Sequence, residues 1–236
     1  LIDHSKIANL DGGDAVYDFQ KEAVTVNGVP RGIPYYSIGN IMAYRTDTYK
    51  ELGIEIPNTW DEYLAAGKKC KASGRPFGQT LGHTLGDAPM FCYPLMWSFG
   101  GSEIDESGKV AINSAATRAS VEFMKEAWEA IYEEGGLSWD DGSNNRAFLS
   151  EQIHTTANGA SIYFVARMKG MDHIADNMSH YMFPKGPGGQ FATSVPLSFC
   201  IPKYSKNQDE AMEWIRYQLS DDVYTNYIAV QNCFAL

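Results

Sequence analysis

Apolar residues recur at helical spacing in three stretches of the chain. Trp60, Tyr63, Leu64, Gly67 and Cys70 fall on one face of a helix that opens after Ile56-Pro57-Asn58. Thr59 can cap it, Glu62 three residues on completes a capping box, and Ser73-Gly74 ends it. A second helix follows Asn113-Ser114, with Val121, Met124, Trp128 and Ile131 as its inward stripe and Gly135-Gly136 as its stop. A third follows Ser205: Gln208 makes an S-x-x-Q box, and Met212, Ile215 and Leu219 face inward. Lys203 and Lys206 flank its start, which opposes the helix dipole and marks an exposed end. Between the helices, strands are predicted over 32–36, 41–44, 109–112, 153–156, 181–183 and 197–201. Residues 184–189, Pro-Lys-Gly-Pro-Gly-Gly, read as a loop. This alternation predicts an α/β sheet with crossover connections. No repeat or low-complexity linker divides the chain, so any second domain must share strands with the first.

At 236 residues the chain can bury a sizeable core without disulfide staples. Its 13% aromatic content argues against disorder. The net charge of −10 argues against a nucleic-acid partner and against docking on anionic lipid. The most apolar run, 89–101, is too short to span a bilayer and is broken by Pro94 and Gly100. The chain starts Leu-Ile-Asp, so either a targeting segment has been removed or the chain is a fragment. Cys70, Cys92, Cys200 and Cys233 are widely spaced, with no C-x-x-C, and read as buried free thiols, with one disulfide as the alternative.

The common catalytic signatures are missing. There is no P-loop, no G-x-G-x-x-G opening a helix and no G-x-S-x-G elbow. The five histidines never pair at i, i+4; His173 and His180, seven apart, can share a helix face but have no further ligand pattern. No cofactor and no metal are therefore expected. Asp140-Asp141, with Asp87, could serve a glycosidase. For Asp140 a turn or N-cap role is the simpler reading.

Aromatic and amide residues concentrate in the loops instead. Tyr35-Tyr36 follow Gly32-Ile33-Pro34, and Trp97 and Phe99 precede Gly100-Gly101. Trp139 precedes Asp140-Asp141-Gly142-Ser143-Asn144-Asn145, and Asn158-Gly159 leads into Ser161, Tyr163 and Phe164. Flat rings beside short polar side chains suit a pyranose, whose C–H face lies on a ring and whose hydroxyls need partners. Trp60, Trp128 and Trp214 read as core or flank residues. Trp97 is balanced between core and ligand wall. Trp139 reads as a cleft residue whose truncation weakens binding and spares stability. Tyr35 and Tyr36 should point to opposite sides of a strand, so at most one faces a cleft.

Several segments together resemble a known family. They are Gly28-Val29-Pro30-Arg31-Gly32-Ile33-Pro34-Tyr35-Tyr36, Ala43-Tyr44-Arg45-Thr46-Asp47, Leu52-Gly53-Ile54 and Pro57-Asn58-Thr59-Trp60-Asp61-Glu62. Trp97 to Asp105, Gly108-Lys109-Val110, Arg146 to Glu151, Asn158-Gly159 and Phe183 to Gly189 continue the set. In order and spacing the chain resembles the extracellular solute-binding proteins of family 1, the sugar-binding components of ABC importers. The resemblance implies a two-lobed α/β fold of the type II periplasmic-binding-protein class. Residues 1–40 and 193–236 would form parts of the N-terminal lobe and 41–192 the C-terminal lobe, with hinge crossings near 36–41 and 193–195. It also implies that the chain is incomplete at both termini. The function it implies is non-enzymatic binding of a sugar or polyol between the lobes, in the periplasm or at the cell surface, for delivery to the transmembrane subunits of an ABC permease. From residue chemistry and motif position, Tyr36 and Trp97 are expected as ring or wall contacts and Trp139 as a stacking platform. Asp140, Asn145 and Asn158 are expected to bond hydroxyls, and Gly100 to let backbone approach the ligand. A carbohydrate-active hydrolase, or a binder of a polyamine, peptide or metal chelate on the same scaffold, stays open.

Overall fold

The computed structural model describes residues 1–4 and 16–231, with side chains described as far as 226. The fourth cysteine, Cys233, lies outside the described residues. The chain divides into two compact units, Leu1–Gly39 with Ser194–Leu236, and Asn40–Thr193.

In the smaller unit, helix α1 (Asp18–Ala23) precedes a short hairpin of β1 (Thr25–Val26) and β2 (Val29–Pro30). Strand β3 (Ile33–Gly39) then pairs antiparallel with β7 (Ser194–Phe199). Ile33, Ile201 and Ile215 form its core, and Met212, Leu219 and Phe199 pack against them. Ile215 lies on helix α9 (Gln208–Gln218), so the stripe expected there faces inward. The cap differs from expectation. Asn207 is the N-cap, and the Gln208 side chain donates to the carbonyls of Lys203 and Ser205 instead of closing a box. The last helix, α10, is Asp221–Gln231. Trp214 is 53% exposed and only its edge meets Phe199, so it is a flank residue.

The larger unit is built on a three-stranded antiparallel sheet. Its centre is β4 (Ile41–Arg45), flanked by β5 (Thr155–Asn158) and β6 (Met178–Tyr181). The long connection from β4 to β5 carries α2 (Thr46–Glu51), α3 (Trp60–Ala72), α4 (Asp87–Ser98), α5 (Ala115–Ala130), a 3₁₀ turn (Glu134–Ser138) and α6 (Ser143–Leu149). Helices α7 (Ser161–Met168) and α8 (Asp172–Ala175) join β5 to β6.

Helix α3 forms as its sequence dictates. The Thr59 hydroxyl accepts from the Glu62 N–H at 3.3 Å, and the Glu62 carboxylate accepts from the Thr59 N–H at 3.3 Å. All five residues of its predicted stripe are buried. Gly67 has a packing reason: a Cβ there would stand 2.6 Å from Ile131 Cβ. The α5 stripe is rotated from expectation. Phe123, Ala127 and Ser120 are buried, whereas Val121 is 62% exposed.

The expected strand at 109–112 does not form. Val110 makes one isolated bridge to Ile104 and is otherwise exposed, because the Asp105 side chain accepts from the Ser107 and Lys109 N–H groups and curls the chain. The apolar run at 89–101 is mostly helix α4 despite Pro94. Proline has no N–H to give the carbonyl four residues back, that of Met90, and Thr193 Oγ1 donates to that carbonyl instead at 3.0 Å. Of the thiols expected to be buried, Cys70 is; Cys92 and Cys200 are exposed, all three unpaired.

The loop at 184–189 packs on the end of α4, where the Gly188 N–H donates to the Ser98 carbonyl at 2.6 Å. A Cβ on Gly188 would lie 2.6 Å from the Gly100 nitrogen and 2.7 Å from the Trp97 carbonyl oxygen, both backbone. Gly188→Ala is therefore expected to destabilise the larger unit by about 1–3 kcal/mol, readable as a lower urea midpoint. An unchanged midpoint would show that this loop does not pack tightly.

At the far end of β4, Arg45 is buried and donates to both Asp47 oxygens at 3.0 and 2.7 Å and to Glu151 at 2.8 Å. His154 is buried beside it, with Nδ1 2.7 Å from the Thr48 hydroxyl and Nε2 3.2 Å from the Glu151 carbonyl. Burial, then the Arg45 charge, holds the His154 pKa below its usual value. The unfolded chain therefore takes up a proton at His154 more readily than the fold does. The stability this group contributes is present above about pH 6.5 and is lost as pH falls through the folded-state value. The urea midpoint is expected to drop between pH 7.5 and 5.5, and to drop less in His154→Gln. Equal drops would remove His154 as the cause.

Candidate functional site

The start of α4, the starts of α6 and α7 and the end of β5 meet at one corner of the larger unit. Asn144, the second residue of α6, is fully buried there. Its Nδ2 donates to Asp87 Oδ2 at 2.7 Å and to the Ala157 carbonyl at 3.2 Å, and its Oδ1 accepts from the Asn145 N–H at 2.9 Å. Asn158, at the end of β5, donates through Nδ2 to Asn145 Oδ1, and its Oδ1 accepts from the Ser161 hydroxyl at 3.2 Å. Asn145 Nδ2 also reaches Ser161 Oγ, at 3.4 Å. The floor is set by Gln79, fully buried, whose Oε1 accepts from the Ala157 N–H at 3.1 Å.

Local sequence explains why these groups converge. Asn144 lies on the same face of α6 as Ala147 and Phe148, both buried, so packing of that stripe carries Asn144 inward. Antiparallel pairing of Ile41 with Asn158 fixes the end of β5. Helices α6 and α7 open on Gly142 and Ala160, neither of which supplies a side-chain cap. First-turn N–H groups are thus left for other acceptors. At α4, Asp141 fills that role: its Oδ1 accepts from the Asp87 N–H at 2.9 Å and the Thr84 hydroxyl at 2.6 Å. These bonds hold the Asp141 carboxyl below its usual range. Burial pushes the Asp87 carboxyl up to about 6, with the Asp141 charge adding to the rise against the Asn144 hydrogen bond.

Of the residues expected at the site, the structure brings together Asn145 and Asn158. Trp139 stands elsewhere. It lines a shallow pocket of about 300 Å³ with Ser143, Arg146, Ala147, Ser150 and Gln152, on a side of α6 centred about 110° around from Asn144 and about 150° from Asn145 at 100° per residue. It is half-buried against the core around Phe148 and Ile153 and overlies Gly78, where a Cβ would lie 3.0 Å from the indole. The expectation that truncating Trp139 spares stability is therefore corrected, because removing the ring opens that core. Asp140 takes the turn role. Its Oδ1 accepts from the Gly142 N–H at 3.0 Å, the Ser143 hydroxyl at 2.6 Å and Arg146 Nη2 at 2.9 Å, a turn that starts α6.

Trp97 and Gly100 sit at the other end of α4, ~15 Å along the helix from Asp87. Trp97 Nε1 donates to Glu103 at 3.0 Å, and its ring stacks on Tyr93 at 5.6 Å. Gly100 has φ of +92°, which by itself accounts for glycine after a helix end. Tyr36 is half-buried on β3 in the smaller unit. A register shift between Pro34 and Tyr36 breaks the strand alternation, so the Tyr35 and Tyr36 rings touch edge to face at 5.2 Å rather than parting to opposite sides. His180 lies in β6 and His173 in α8, so they share no helix face. Asp87, Asn144 and Ser161 were not expected as contacts. An asparagine at a core position of the α6 stripe was the available signal.

Among the described residues no cluster of three or more histidine, cysteine, aspartate or glutamate side chains could hold a metal, and no helix is long and apolar enough to cross a membrane. The fold is that of the type II periplasmic binding proteins. It superposes on maltose-bound MalE3 of T. maritima with a TM-score of 0.86 at 24% identity, covering 97% of this chain and 60% of that one. A mannitol-bound ABC transporter solute-binding protein from Agrobacterium vitis S4 gives 0.81 at 19% identity, covering 98% and 57%. The chain belongs to the bacterial extracellular solute-binding protein family, whose profile matches residues 1–225. A probable ABC transporter-binding protein of Deinococcus radiodurans is 28% identical over 211 residues, 82% of this chain and 48% of that protein. The chain thus spans about half the length of that relative.

Proposed function

We propose that this protein is the solute-binding component of an ABC importer and takes a sugar or polyol at the corner formed by α4, α6, α7 and β5. The observation that carries the reading is the mixture of groups there. Ser161, Asn145, Asn158 and Asp87 present amides, a hydroxyl and a carboxylate beside the start of α7, which has no side-chain cap. A hydroxyl both donates and accepts, so a polyhydroxy ligand matches such a mixture without leaving groups unpaired. Maltose and mannitol in the solved relatives support this class of ligand. The two units are read as parts of the two lobes of that fold, the larger one as the C-terminal lobe. Binding involves no covalent chemistry. It takes place in the periplasm or at the cell surface, and the ligand passes to the transmembrane subunits of a permease.

Calorimetric titration against sugars and polyols tests this. Asn145→Ala is expected to weaken the bound compound at least tenfold, with Tm changed by no more than about 2 °C, since Asn145 is only half-buried. A panel with no binder, or a variant of unchanged affinity, would overturn the assignment.

A further inference from the structure

Resting on that carbohydrate reading, we infer that Asp87 sets the charge class of the ligand: the corner takes a polyhydroxy compound that is neutral or carries an amine, and rejects the same compound carrying a carboxylate or phosphate.

A helix start ordinarily favours anions. At α4 that attraction is already used, because Asp141 occupies the first N–H and Asp87 stands in the first turn. Asp87 is held in place through Oδ2 by Asn144, itself fully buried. Neither Asp87 nor Asp141 has an ion-pair partner among the described residues. The segments that build the corner, 79–90, 139–146 and 156–163, contain only two side chains able to carry positive charge, His83 and Arg146. Arg146 is engaged by Asp140 on the other face of α6, and His83 is exposed. A ligand carboxylate would meet two carboxylates with no cation between them, whereas an ammonium group would gain from both.

A separate observation concerns Asn40, one residue before the Ile41–Asn158 pair. It is 1% exposed, and both its Oδ1 and Nδ2 lack partners among the described residues. A buried amide needs a donor and an acceptor together. A hydroxyl, or a water that a ligand orders, offers both, which fits a polyhydroxy ligand.

The test uses three compounds on one carbon skeleton, D-glucitol, 1-amino-1-deoxy-D-glucitol and D-gluconate, and the matching set glucose, glucosamine and glucuronate. They are titrated calorimetrically into the wild-type protein and into Asp87→Asn, which keeps the shape that Asn144 bonds. At pH 7.5 the acid is expected to bind at least tenfold more weakly than its neutral counterpart, and the amine as tightly or more so. The gap should shrink severalfold in Asp87→Asn, and in the wild type at pH 5, where Asp87 is protonated and the ligand acid is still ionised. An acid that binds as well as its neutral partner, or a gap that Asp87→Asn leaves intact, overturns the inference while the carbohydrate reading stands. If no member of either set binds and a wider sugar panel also fails, both fall together.

Discussion

Trp60→Ala is expected to destabilise the larger unit by about 3–5 kcal/mol, the cost of truncating a fully packed aromatic ring. Trp60 is 3% exposed and sits among four other rings, with centroids 5.5 Å from Tyr63, 6.1 Å from Phe91, 5.4 Å from Phe123 and 6.4 Å from Phe183. These rings come from α3, α4, α5 and the loop after β6, so one cavity loosens four segments at once. The indole Nε1 also donates to Ser98 Oγ at 2.7 Å, a bond lost with the ring. For a unit of this size, Tm should fall by roughly 10 °C. Trp60→Phe keeps most of the volume and should cost clearly less. A Tm loss under about 3 °C for the alanine variant would mean that the ring does not join these segments.

The second large effect is expected at Asn144. Asn144→Ala removes one fully buried side chain that donates to Asp87 and to the Ala157 carbonyl and accepts from Asn145. A buried carbonyl and a half-buried carboxylate then lose their donor, at about 1–3 kcal/mol. Asp87 is released from its position, and Asn145 loses the bond that sets the first turn of α6. Ligand affinity should fall at least tenfold, more than the stability change alone would produce. Calorimetry on the folded variant, checked by circular dichroism at the same temperature, separates the two. Unchanged affinity in a folded Asn144→Ala protein would show that the corner needs no internal support and would count against it as the site.

Much of the local structure was legible in the residue order. The α3 cap, stripe and stop all depend on residues within a turn of each other, and they form as the spacing requires. Where a longer-range partner decides, the reading shifts. Proline in α4 looked like a break, but the Met90 carbonyl it frees is taken up by Thr193, 103 residues away. Val121 looked like a core residue of α5, yet the face of that helix turned inward is set by packing on α3 and α4, which buries Ser120, Phe123 and Ala127 instead.

The site divides in the same way. The chemical character of the proposed corner, short polar side chains in loops at helix starts, could be read from the residues, and Asn145 and Asn158 were expected as contacts. Trp139 and Asp140 stood in the same loop and looked equivalent, because an unfolded chain does not say which side of the coming helix a residue will occupy.

The residue pattern alone indicated the α/β class, the helix at 60–72 with its caps, a helix after Ser114, and a resemblance to a solute-binding family. Those rest on periodicity, capping and ordered short segments, all of which are local. Only the tertiary structure decided that Asp87 and Asn144, 57 residues apart, would bond to each other and that Trp139 would pack on the side of α6 that Ser143, Arg146 and Ala147 line. That choice belongs to strand register and core packing, which bring distant segments together and act on no residue by itself.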